Sequence, residues 1–214
     1  MTSDKKINVT ASRDNRELSR SILNCFRYLD EIGIQLESLR RAMQDCVKSS
    51  EQLKKLKLTA TGFKSNDEFC KSGWIYRSVI DTFELKDADD KRRKCKAYAA
   101  FKISLALESS DKDDAFFPNV SVLIAWLANK SCWMQWEIEE FEMDDDYLTD
   151  CTDDELPWKK QKTGYWVCEE DSNIAVAFSV PLADLASEDD VKQLVIDPFC
   201  ELAKQLQDNK FVMD

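Results

Sequence analysis

The sequence predicts an α+β fold: a long N-terminal helix, an antiparallel sheet of about six strands, and a C-terminal helix packed on the sheet. Three observations predict it. Apolar residues recur at alternating spacings of four and three from Leu18 to Leu53. The period switches to two from Trp74 onward. A helical period returns after Ser187. Helices segregated from a run of consecutive strands mark α+β rather than α/β architecture.

The first element is expected over Asn15 to Lys57, which contains no proline. Leu18, Ile22, Cys25, Leu29, Ile32, Leu36, Leu39, Met43, Cys46, Ser50 and Leu53 form an a/d seam, and only Ser50 breaks its apolar character. The phase runs through Gly33, so a single helix is expected, bent there if anywhere. The flanking e and g positions include Phe26, Tyr28, Val47 and Leu56, where a two-stranded coiled coil prefers charges. The apolar stripe is therefore wide, as in a helix of a bundle or one lying on a folded domain. Two readings stand level: a helix docked on its own sheet, and a homo-oligomer built through Leu18, Ile22, Leu29, Ile32, Leu36, Leu39 and Met43.

Leu58 to Gly73 is polar, with Gly62 and Gly73 near its edges, and reads as a connector. Trp74 to Lys86 reads as a strand, and Asp87 to Lys94 as a charged hairpin loop. Cys95 to Glu108 is the clearest strand: Cys95, Ala97, Ala99, Phe101, Ile103, Leu105 and Leu107 share one face, with Lys94, Lys96, Lys102 and Glu108 on the other. Val120 to Ala128 is apolar on both faces and belongs in the middle of the sheet. Cys132 to Glu142 alternates again. Gly164 to Cys168 and Asn173 to Val180 form the last pair. Ser187 is placed as an N-cap followed by three acidic residues, which suit the positive end of a helix dipole. Val191, Leu194, Val195, Phe199, Leu202 and Leu206 form the expected buried stripe, and Asp197-Pro198 kinks this helix or starts a second one. Residues 1–57, 58–73 and 74–214 are thus expected as helical segment, linker and α+β domain.

The 214 residues are 43 % hydrophobic, with six Trp and eleven Phe, enough for a real core. Met1 to Leu18 is polar, without the apolar centre of a signal peptide, and the apolar run Ala115 to Asn129 is too short for a membrane span. The eight cysteines are scattered with no CxxC pair, so neither a zinc site nor a disulfide framework is expected. These features point to a soluble cytoplasmic protein with reduced thiols. Histidine is absent, which removes Ser-His-Asp and Cys-His nucleophiles and imidazole metal sites. Four glycines cannot build a phosphate-cradling loop. No cofactor is implied.

Charge is uneven. Residues 1–110 hold 22 basic and 16 acidic side chains, +6; residues 111–214 hold 8 basic and 25 acidic ones, −17. An acidic surface repels nucleic acid and anionic lipid and attracts basic proteins. The acidity peaks in Met143 to Thr163, which carries Asp144, Asp145, Asp146, Asp150, Asp153, Asp154 and Glu155 ahead of Pro157 and Trp158. Three readings compete for it. It is a solvated loop; or a docking loop, with Trp158 as anchor and the carboxylates steering a basic partner; or a calcium loop. For calcium, Asp144, Asp146 and Glu155 occupy positions one, three and twelve, but Leu148 and Thr149 stand where an oxygen ligand and the turn glycine belong.

Weaker candidates remain. Glu137 and Glu139 share one strand face, as magnesium-binding carboxylates do, yet solvent-facing charges explain them as well. Glu84-Leu85-Lys86 gives only a fragment of a nuclease motif. The basic tip Lys91-Arg92-Arg93-Lys94 is preceded by Asp87, Asp89 and Asp90, which cancel its field. The leading expectation is a non-catalytic interaction module, a regulator, inhibitor or adaptor that presents an acidic surface to a basic protein. The alternatives are a metal-dependent enzyme using clustered carboxylates such as Glu137, Glu139, Asp144 and Asp146, and an assembly protein working through its N-terminal coiled-coil helix.

Overall fold

The computed structural model describes residues 11–69, 76–89, 95–105, 118–126, 159–161, 163–170 and 173–208. Helix α1 runs Ala11–Ser49 and α2 runs Glu51–Lys55. Among the described residues seven strands follow: β1 Leu58–Phe69, β2 Tyr76–Asp87, β3 Cys95–Ser104, β4 Asn119–Trp126, β5 Lys159–Lys160, β6 Trp166–Glu170 and β7 Asn173–Pro181. The chain ends in a short turn of helix α3, Glu188–Asp190, a π-helical stretch Val191–Ile196, and α4, Asp197–Gln207. This is the α+β architecture read from the sequence.

The strands form one antiparallel sheet in the order β1-β2-β3-β4-β7-β6-β5. The first four make a meander, and β7 closes against the free side of β4. The doubly apolar Val120–Ala125 therefore lies in the middle, between β3 and β7. The register fixes two faces. Val79, Phe83 and Leu85 of β2 share one face with Ala99, Phe101 and Ile103 of β3, and with Val122 and Ile124 of β4. Phe199 of α4 enters this face, its ring 5.8 Å from Phe83 and 5.5 Å from Phe101. The opposite face carries Ile80, Ala100, Leu123, Ala125, Trp166, Cys168, Ala175 and Ala177, all buried. Lys102 and Ser121 are buried with them. The expectation that Lys102 marks a solvent-facing side of β3 is corrected: both faces of the central strands are covered.

Three further expectations change. The single helix to Lys57 is broken at Ser50, not at Gly33. Ser50 leaves helical geometry with ψ 115° and its hydroxyl accepts the Leu53 N–H at 3.3 Å, capping α2. The one polar residue in the seam thus marks the break. Second, most of the expected connector 58–73 is strand β1, paired along its length with β2. It sits at the sheet edge, where inward positions are few (Leu58 is buried, Phe63 half-buried), so its composition reads as polar. Third, Leu194 is exposed and Ile196 is buried in its place. The i→i+5 winding of Val191–Ile196 shifts the apolar phase that a regular helix would keep.

Other expectations hold in place. The Ser187 hydroxyl accepts the Asp190 N–H at 3.2 Å, and Pro198 lies in the first turn of α4. The chain forms two compact units, Met1–Arg41 and Ala42–Asp214, so the end of α1 and all of α2 belong with the sheet. Among the described residues no helix is long and apolar enough to cross a membrane.

Candidate interaction surface

The a/d seam of α1 divides along its length. Every residue from Leu18 to Tyr28 is exposed. Leu18 is 60 % exposed, Ile22 48 %, Phe26 48 % and Tyr28 65 %, with Leu23 and Ile34 also exposed. Leu29, Ile32 and Leu39 are half-buried, while Leu36, Met43, Val47 and Leu53 are buried. Of the seven residues expected to drive oligomerisation, then, Leu18 and Ile22 are available to another molecule, whereas Met43 is committed to the core of its own unit.

The reason lies in what the second half of the seam meets. Gln44, one position past Met43, donates from Nε2 to Asp81 Oδ2 of β2 at 2.8 Å. Lys48 Nζ lies 4.6 Å from the centre of the Phe63 ring. The helix divides accordingly: the stretch from Met43 on is docked on the sheet, and the stretch 18–28 exposes apolar side chains to solvent. Large exposed apolar side chains clustered on one element mark a contact surface, because water gains when they are covered.

Phe26 and Tyr28 are read from the sequence only as signs of a wide stripe, and Leu23 and Ile34 fall outside the seam altogether. Their exposure is a tertiary fact with no local signal, since a buried stripe has the same composition.

One cavity of about 390 Å³ lies at the α1–α2 break, lined by Cys46, Ser50, Gln52, Glu188, Lys192 and Asp197, among others. Gln52 donates to Asp197 Oδ1 at 2.9 Å, which occupies one of its carboxylates. Burial pushes the Cys46 thiol up, and the nearby Glu188 carboxylate pushes it further. A thiol held in its neutral form is a poor nucleophile. Cys200, buried beside Ser50, is likewise raised by burial, partly offset by its hydrogen bond with Ser50. Among the described residues no group of three or more His, Cys, Asp or Glu side chains is placed to hold a metal ion. Glu84 and Lys86, the nuclease-like fragment, pair with each other on β2.

The acidic set Asp144, Asp145, Asp146, Asp150, Asp153, Asp154, Glu155 and Trp158 lies outside the described residues, as do Glu137, Glu139 and the basic tip Lys91–Lys94. No protein-family model matches the chain, and no curated protein or solved structure matches it.

Proposed function

We propose that this chain is a non-catalytic protein-interaction module that binds its partner through the exposed face of α1, with the acidic second half steering a basic partner toward it. The observation that carries this reading is the exposure of Leu18, Ile22, Phe26 and Tyr28 on one helix, in a chain whose other large apolar side chains are mostly buried among the described residues. An amphipathic helix laid in a groove is a common recognition mode, and its anchors recur at i, i+4 and i+8, as Leu18, Ile22 and Phe26 do. The charge of −17 over residues 111–214 supports a basic partner. The free thiols of Cys25, Cys46, Cys95, Cys168 and Cys200 support a reducing, cytoplasmic setting.

The test is a comparison of full-length protein with an Ile22→Glu/Phe26→Glu variant in affinity capture from native lysate at low and high salt. The expected result is a basic protein retained at low salt, weakened at high salt and lost with the variant. Equal capture by both proteins overturns the reading.

A further inference from the structure

Resting on the reading of α1 as the contact surface, we propose that a second copy of this chain covers it: two α1 helices pair antiparallel through Leu18, Ile22, Cys25 and Leu29. Residues 18–28 are exposed throughout and Leu29 is half-buried, whereas Leu36 is buried. The accessible part of the seam therefore ends before Leu36. Antiparallel seams mesh where an a position of one helix meets a d position of the other. In this chain that condition sets Ile22 against Cys25 of the second copy and Leu18 against its Leu29. Each contact occurs twice about a two-fold axis, so the pair is closed. The same register brings Ala11, the first residue of α1, level with Leu36. The second helix thus begins where the seam is already covered.

The flanking positions fit this pairing. They are Ser19 and Phe26 on one side of the seam and Ser21 and Tyr28 on the other, with no charge among them. All four are exposed. Antiparallel helices set like flanks against each other, so Phe26 lies over Ser19 of the second copy and Tyr28 over its Ser21. A large side chain faces a small one four times. Aromatic residues without charge are the composition of an interface core. Charged flanks that would repel an identical helix are missing.

Charge decides the orientation. Residues 42–214 carry 22 basic and 35 acidic side chains, −13. Parallel pairing sets the two Ala42 positions side by side, about 10 Å apart. That is close to the Debye length of ~8 Å at physiological salt, so the acidic units repel. Antiparallel pairing sends the two Ala42 positions to opposite ends, about 55 Å apart along the axis, where the repulsion is screened. Leu18 to Leu29 spans about 18 Å of a helix ~10 Å across. This falls below the ~800 Å² per partner of a stable interface, so the dimer is weak. A weak self-contact covers the apolar face at high concentration and yields it to a partner that binds more tightly.

Sedimentation equilibrium of the full chain at several salt concentrations tests this. The expected result is a monomer–dimer equilibrium that strengthens as salt rises, because salt screens the repulsion between two chains of charge −11. Ile22→Glu/Phe26→Glu weakens it about tenfold or more, with circular dichroism confirming that the variant is folded. Two further variants, Leu18→Cys/Cys25→Ser and Leu29→Cys/Cys25→Ser, report the orientation. Under mild oxidation they bridge to each other on mixing, between positions 18 and 29 by peptide mapping, and the first does not bridge to itself at position 18. A monomer at every concentration overturns the proposal. So does a dimer indifferent to Ile22→Glu/Phe26→Glu, or one that weakens as salt rises. A bridge between two copies of the Leu18→Cys/Cys25→Ser protein at position 18 overturns the antiparallel pairing. Failure here is separable from failure of α1 as a contact surface: if the chain is monomeric yet Ile22→Glu/Phe26→Glu abolishes lysate capture, only the second-copy assignment is lost.

Discussion

Gln44 on α1 donates a hydrogen bond to the buried carboxylate of Asp81 on β2, 2.8 Å from Nε2 to Oδ2. The Ser65 hydroxyl on β1 donates to the other oxygen of the same carboxylate. Asp81 is 1 % exposed and sits on the face that carries Phe83 and Phe101. A buried polar group persists in such a place only where hydrogen-bond partners replace the water it loses. This carboxylate therefore ties the C-terminal part of α1 to two strands and helps fix where the buried half of the seam ends.

Removing either partner costs more than the bond alone is worth, because the other is left without it. Asp81→Ala is expected to destabilise the fold by about 2–3 kcal/mol, and Gln44→Ala by about 1–2 kcal/mol. The double variant should be less destabilised than the sum of the two, with a coupling of about 1 kcal/mol in denaturant melts. Strict additivity would show that the bond contributes nothing to the docking of α1.

Two glycines should respond with opposite signs. Gly62 has φ +70° and, with Phe63, stands opposite Phe83 where the β1–β2 register shifts. This is a bulge whose left-handed residue favours glycine. A Cβ at Gly62 would come no nearer than 4.0 Å to Glu84, so the cost is backbone strain rather than collision. Gly62→Ala should destabilise by about 1–2 kcal/mol. Gly33 lies in the interior of α1 and a Cβ there meets nothing within 4 Å. Gly33→Ala should stabilise the helix by about 0.5–1 kcal/mol. Thermal melts and helical ellipticity of the two variants check both signs.

The legible parts of this fold were those with a period. The alternation in β3, the doubly apolar β4, the Ser187 cap and the start of α4 at Asp197-Pro198 follow from side-chain spacing and cap chemistry, which are local. What spacing could not show was set by tertiary partners. β1 reads as a connector because an edge strand buries few side chains, Leu58 and Phe63 being the large apolar ones covered among those described. Leu194 and Ile196 exchange roles because the π winding is imposed where that segment packs. The seam itself is continuous from Leu18 to Leu53, and nothing in its sequence says that its first part is exposed and its last part buried. The acidic segment is plain in the sequence as composition, but composition does not place it.

The cysteines should separate by reactivity. Cys25 is exposed on α1, whereas Cys200 is buried and its thiol is raised above the usual range by loss of solvent. Since the thiolate is the reactive form, raising the pKa lowers reactivity at neutral and mildly alkaline pH, and alkylation recovers only as pH rises further. Brief iodoacetamide treatment of the native protein followed by peptide mapping should modify Cys25 well before Cys46 or Cys200. Equal labelling of Cys25 and Cys200 at pH 8 would mean that α4 does not cover the sheet as described.

Two phenylalanines test where the stability of the molecule resides. Phe199 is fully buried, and its ring meets Phe83 and Phe101, which meet each other at 5.2 Å; Phe63 stacks on Phe83 at 4.8 Å. This aromatic cluster joins α4, β1, β2 and β3 in one contact network. Phe199→Ala leaves a cavity that the surrounding rings cannot fill, and should cost about 3–5 kcal/mol. That is a large share of the ~5–15 kcal/mol that holds a domain folded. Phe26 is a residue of the same type, but on the exposed stretch of α1. Phe26→Ser should change stability by no more than about 0.5 kcal/mol at protein concentrations too low for association. In an assay of partner capture the order reverses: Phe26→Ser is expected to lose binding while remaining folded. A large loss of stability from Phe26→Ser in the dilute protein would show that α1 is held by its own chain at that position, and would remove it from the contact surface.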